Sequence, residues 1–210
     1  MPRQLTAETI ADFRDRLCDV AEKRFAEQGP AAVTIRQLAA DLGVSPMTPY
    51  RYFDDKDAIL AAVRARAFDR HAQALEDAYE GASDDDAVGQ MAAVGAAYVR
   101  FALDHPDAYK LMFDIHQDKA WDHADLARAG ERSRSTMTRH IHDLVARGII
   151  AGDADRIGHL FWAAVHGPLM LHFSGLLPAD HDAQNLINGL SAVLWRSILK
   201  PVRVPAARPA

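Results

Sequence analysis

Ser45, Pro46, Met47, Thr48, Tyr50, Arg51, Tyr52 and Lys56 all fall within a dozen residues. Together they supply hydroxyls, apolar tips and two cations, the groups suited to a polyanion with an ordered surface. The Thr48 hydroxyl can donate to or accept from a base edge, and Met47 or Pro46 can touch a thymine methyl. The hydroxyls of Tyr50 and Tyr52 can reach phosphates, contacts that position a protein without reading sequence. Lys56 is the most telling residue. It is expected in the first turn of a helix, where the macrodipole disfavours a cation. A phosphate held at that helix end would resolve the conflict. Upstream, Thr34 and Arg36 stand at the start of another expected helix and join the DNA-facing set.

Positioning these side chains requires short, well-capped elements. Apolar residues Ile10, Phe13, Leu17, Val20 and Phe25 predict a first helix over 7–28, stopped by Gly29 and Pro30. Thr34 with Gln37 three residues on forms a capping box, and Val33 and Leu38 take the staple positions. Leu42 and Gly43 end that helix after about two turns. Ser45 is the next expected N-cap, with Pro46 at N1, where a missing N–H is harmless. Pro49 lies at the edge of the tolerated first turn. This helix is expected to be short, because Phe53-Asp54-Asp55 breaks its pattern, and Asp54 is expected to cap the next one. Two short helices joined by a turn containing glycine make a helix-turn-helix, whose second helix enters the major groove.

Bulk charge gives no support to a nucleic-acid partner. The chain of 210 residues carries a formal charge of −5, and residues 1–62 hold eight Lys/Arg against ten Asp/Glu. Binding must therefore rest on individual hydroxyls, helix ends and single cations rather than a basic patch. With 49% hydrophobic residues a sizeable core is expected, and abundant alanine favours helices. No stretch approaches the roughly 18 apolar residues of a membrane span. The segment MPRQLTAETI lacks a signal-peptide apolar region, and Cys18 is the single cysteine, so a cytoplasmic protein is expected.

Beyond residue 62 the pattern is of longer helices: one to about Tyr79, one opened by a Ser83–Asp86 capping box, and a short one over 107–115. After a loop at 116–122 come helices over 123–147, over 153–173 with Asp153 as cap, and over 180–199. The reading is all-α, about nine helices. A helix-turn-helix domain, 1–62, precedes an effector-binding and dimerisation domain, 63–200. The tail 201–210, with three prolines, is expected to be disordered.

The last two helices carry Ile157, Leu160, Phe161, Val165, Leu169, Leu186, Leu190, Val193, Leu194 and Trp195. That is more apolar surface than a small bundle buries, and two helices from each subunit would form a four-helix interface. For a small-molecule site the candidates are Met91, Tyr98, Tyr109, Met112, Phe113, Met137, Trp162 and His166. The histidines invite rival readings. His140 and His142 are two apart and point to different sides of a helix; His159 and His166 are seven apart and share a face. No nucleophile elbow, CxxC or glycine-rich phosphate loop accompanies them, so an enzyme is not expected. His116, His123, His159 and His166 lack the close spacing of a zinc site, and no cofactor or metal is assigned. A metal-responsive or ligand-independent regulator remains the alternative.

The segments Phe25-Ala-Glu-Gln-Gly29, TIRQLAADLGVS, Tyr50-Arg-Tyr-Phe53 and Lys56 resemble the N-terminal domain of TetR-family transcriptional regulators over residues 10–65. Pro49 departs from the more usual aliphatic residue before the tyrosine. FALDHPDAYKLMF and Trp162-Ala-Ala-Val-His166-Gly167 resemble the subgroup named for its W-H-G motif. The resemblance implies a homodimer on a palindromic double-stranded DNA operator, usually a repressor released by a small effector.

Overall fold

A computed structural model describes residues 6–83, 86–114, 122–178 and 180–198. The expected loop 116–122, except Asp122, and the tail 201–210 lie outside the described residues, as does His116. Eight α-helices and one 3-10 helix form the described chain: α1 Ala7–Gln28, α2 Ile35–Asp41, the 3-10 helix Pro49–Arg51, α3 Lys56–Glu80, α4 Ala87–Asp104, α5 Pro106–Met112, α6 Ala124–Ala146, α7 Ala154–Phe173 and α8 Ala183–Ile198. No strand occurs among the described residues.

Two compact units divide the chain: Met1–Asp77 with Arg100–Arg134, and Ala78–Val99 with Ser135–Ala210. The first segment of the first unit runs to Asp77, late in α3, and this unit also takes in α5.

In the first unit, Phe13, Leu17 and Phe25 of α1 pack with Val33, Leu38, Ile59, Val63 and Leu111. Ion pairs staple the rim of this core. Arg24 grips Asp41 with two N–H groups, one of them 2.7 Å from the carboxylate, and this bonding holds the carboxyl below its usual range. Arg66 donates to Asp19 and Arg70 to Glu22, at 2.8 and 2.7 Å. On the α6 side, Arg128 and Arg132 hold Asp69 at 2.9 and 3.3 Å, and Arg132 also bonds Glu76. Burial alone would raise the Asp69 carboxyl, but the two guanidiniums outweigh it and hold it low.

Tyr109, Met112 and Phe113, expected among the ligand contacts, belong to this first unit. Tyr109 and Met112 are fully buried on α5, and Phe113 meets the rings of Tyr109 and Phe68 at 5.0 and 5.8 Å. They pack as core because α5, opened by Pro106, lays its apolar face inward.

In the second unit, Met91, Ile141, Leu144, Ile150, Ile157 and Phe161 form the core, with Leu194 and Trp195 against it. Gly158 lets α7 approach α6 closely: a Cβ there would stand 2.8 Å from Thr138 Cγ2 and 3.2 Å from the Met137 carbonyl oxygen.

Caps at two helices differ from expectation. Asp55, not Asp54, caps α3, its carboxylate accepting from Ala58 N at 2.7 Å. Asp86, not Ser83, caps α4 through Gly89 N at 2.8 Å. In each case the acid stands immediately before the first helical residue, the position from which a side chain reaches the third amide.

Candidate functional site

The helix-turn-helix segment begins at α2. Thr34 accepts from Gln37 N and the Gln37 side chain accepts from Thr34 N, the reciprocal box expected there. Gly43 takes φ +66°, which turns the chain while Gly43 N and Val44 N donate to Ala40 and Ala39 at 3.0 Å. An α-helix is expected after Ser45, but the structure holds a tighter element. Thr48 N donates to Ser45 O at 2.8 Å, and Pro49–Arg51 then form a single 3-10 turn. The prolines explain this. Neither has an N–H, and Pro49 cannot make the bond to Ser45 O that would open an α-helical ladder.

The turn displays what it does not bury. Pro49 and Phe53 go inside, Tyr52 is half-buried and stacks on Phe13 with ring centroids 4.1 Å apart, and Arg14 lies 4.1 Å over Phe53. Ser45, Pro46, Met47, Tyr50 and Arg51 face outward, with Thr48 half-exposed; Met47 is 68% exposed and Tyr50 50%. Thr34 and Arg36 are exposed at the start of α2. The turn thus presents large side chains to the outside over a closed core.

Lys56 is indeed the first residue of α3. Its ammonium donates to Pro30 O at 2.8 Å and reaches Ala31 O at 3.4 Å. The conflict with the helix dipole is thus met within the chain by carbonyls of the α1–α2 loop. Two of the three N–H groups serve as this tie, and one remains.

The second unit contains a cavity of about 270 Å³, near the lower end of the range for small-molecule sites. Met91, Tyr98, Met137 and Trp162 from the expected set line it. Val94, Val99, Phe161, Val165, Ile187 and Trp195 extend its apolar wall, and Gln184, Asn188 and Ser191 add polar groups from α8. His166 is not a lining residue, but it supports one. Trp162 Nε1 donates to the Tyr98 hydroxyl at 3.0 Å, and that hydroxyl lies 3.2 Å from His166 Nδ1. The four-residue spacing of Trp162 and His166 puts both on the face of α7 that meets Tyr98. Burial lowers the pKa of His166, which favours the neutral ring.

Sequence reasoning left His140 out of the ligand set, yet it lines the cavity and is only 7% exposed. Its spacing of three from Met137 was the available signal. Burial pushes its imidazole down to about 4, against the Thr136 carbonyl and Asp143, which favour the proton. The unfolded ring titrates near 6.5. Between these values the unfolded chain binds the extra proton, so stability is complete above pH 6.5 and is lost as pH falls toward 4. The loss amounts to about 3 kcal/mol by linkage. Urea unfolding at stepped pH should show this decline, and His140→Phe should remove most of it. A wild-type curve that is flat over the window would refute the assignment. Asp41 and Asp69, held low by their arginines, lose their share at lower pH.

No group of three or more His, Cys, Asp or Glu side chains able to hold a metal occurs among the described residues, and none of their helices is long and apolar enough to cross a membrane.

Two family models match the chain, one over each half of the sequence. A family model of bacterial regulatory proteins, tetR family, matches residues 17–63, and one for a tetracyclin repressor-like C-terminal domain matches residues 91–193. An uncharacterized HTH-type transcriptional regulator of Mycobacterium tuberculosis is 28% identical over 187 residues, covering 87% of this chain and 77% of its own. The HTH-type transcriptional regulator BetI of Brucella canis is 26% identical over 164 residues, 77% of this chain and 80% of its own. A solved structure of a protein of unknown function from Rhodococcus sp. RHA1 superposes with a TM-score of 0.78 at 31% identity, covering 95% of this chain and all of that one.

Proposed function

The chain belongs to the TetR family of bacterial transcriptional regulators, and from that premise we propose that it acts as a homodimeric repressor in the cytoplasm. It binds a palindromic operator through the Ser45–Arg51 turn and leaves it when a small, largely apolar molecule occupies the cavity of the second unit. The observation that carries this reading is the outward display of Met47, Tyr50 and Arg51, with Thr48 half-exposed, on a turn anchored to the core by Pro49 and, just after it, Phe53. Met47 and Thr48 face base edges. Thr34, Arg36, Ser45, Tyr50 and Arg51 hold phosphates, with Tyr52 and the remaining Lys56 N–H at the rim. Pairing of subunits through α7 and α8 sets the spacing of the two turns to one helical repeat of DNA. Effector release follows if the ligand prefers a conformation in which that spacing no longer fits.

The direct test is footprinting of the purified protein on the intergenic region upstream of its own gene and across the genome, with salt titration. The reading expects a protected inverted repeat with half-sites about 10 base pairs apart or a multiple of it, and affinity that falls as salt rises. Uniform, sequence-independent protection at every salt concentration would remove the operator from the account.

A further inference from the structure

Four helices of the second unit meet around the cavity, and the chemistry of their lining limits what can enter. None of the residues named along it is Asp, Glu, Lys or Arg. An ion would therefore lose its hydration without meeting an opposite charge. The aromatic and aliphatic wall suits an apolar body.

His140 adds direction. Its Nδ1 lies 3.1 Å from the Thr136 carbonyl oxygen. A carbonyl oxygen only accepts, so Nδ1 carries the proton and donates it. The ring is buried and neutral, which leaves Nε2 as a bare acceptor on a residue that lines the cavity. An acceptor beside an otherwise apolar wall favours a ligand that brings a donor. Among the described residues no second partner of this ring is found.

We propose that the cavity takes an uncharged amphipathic ligand that bears a hydroxyl or equivalent donor, which bonds to His140 Nε2 while the apolar body lies against Trp162, Phe161 and Met137. This rests on the reading of the cavity as the effector site, and it narrows that site to one chemical class.

Calorimetry of the full chain at pH 7 with four probes of common body tests it: 4-butylphenol, 4-butylanisole, 4-butylbenzoate and 4-butylbenzylammonium. The phenol is neutral at this pH and keeps the donor. It should bind about tenfold more tightly than the anisole, which lacks the donor, and by at least about the same factor more tightly than either ion. His140→Phe should bring the phenol and anisole to equal affinity while leaving the anisole unchanged. His140→Gln, which keeps an acceptor, should retain part of the preference and serves if the phenylalanine variant does not fold. Equal wild-type affinity for phenol and anisole, tighter binding of either ion, or no binding of any probe would overturn the inference. The measurement needs no DNA. A phenol that binds as expected but leaves the operator complex intact would uphold this inference and count against release by the ligand.

Discussion

Val193→Asp will convert the protein to a monomer and lower operator affinity by about 10²- to 10⁴-fold. Val193 is 56% exposed on α8, and Leu190 beside it is 44% exposed. Both are large apolar side chains on a helix whose buried residues are only Ala183 and Ile187. The helix has two working faces. Gln184, Asn188, Ser191 and Trp195 line the cavity at spacings of four, three and four. Leu186, Leu190 and Val193 repeat the same rhythm offset by two residues, which is about half a turn. Leu160, 44% exposed on α7, adds to the uncovered apolar surface. In a two-fold interface each substitution appears twice, so two carboxylates would be buried without partners, each strongly unfavourable. A monomer engages one half-site and loses the gain from linked binding. Sedimentation equilibrium and gel-shift titration measure the two effects. Retained dimer at micromolar concentration would move the interface elsewhere. Because Val193 points away from the cavity, probe binding by the variant should be unchanged.

Which features could be read without the fold follows from how local their causes are. The span of α1, the Thr34–Gln37 box and the Asp153 cap depend on residues within one turn of each other, and each was legible. The tight 3-10 form of the Pro49–Arg51 turn depends on two prolines acting together, and single-residue capping rules treat each one alone. Cavity residues are harder still. The lining takes residues from α4, α6, α7 and α8, so no segment contains its pattern. Met91, Tyr98, Met137 and Trp162 could be nominated by type. Tyr109 and Met112 are of the same types and are core in the first unit, because composition cannot say which neighbour a side chain meets. Phe161 and Trp195 pass for interface residues by apolarity alone, yet both line the cavity. His140 carried the opposite risk. A lone helix histidine is ordinarily a satisfied group, and only its burial and its bond to Thr136 single it out.

Replacing Met47 and Thr48 together with alanine will lower affinity for the operator by about 100-fold and leave non-specific DNA binding nearly unchanged. Met47, 68% exposed, adds little to the core, so the double variant should melt close to the parent. On the proposed reading its contribution lies in contact with the base edges, together with the Thr48 hydroxyl. A lost base contact costs about 1–3 kcal/mol, and a dimer loses it in both half-sites. Phosphate contacts from Thr34, Arg36, Tyr50 and Arg51 would remain, so the dependence of affinity on salt should keep its slope. Arg51→Ala supplies the contrast. It should weaken specific and non-specific binding alike and reduce the salt slope by about one per subunit. Parallel titrations against operator and scrambled duplexes, each at several salt concentrations, separate these outcomes. If the Met47/Thr48 variant keeps its preference for the operator, base reading does not reside at the tip of this turn. If Arg51→Ala alone removes the preference, the arginine reads a base and the division of labour along the turn is reversed.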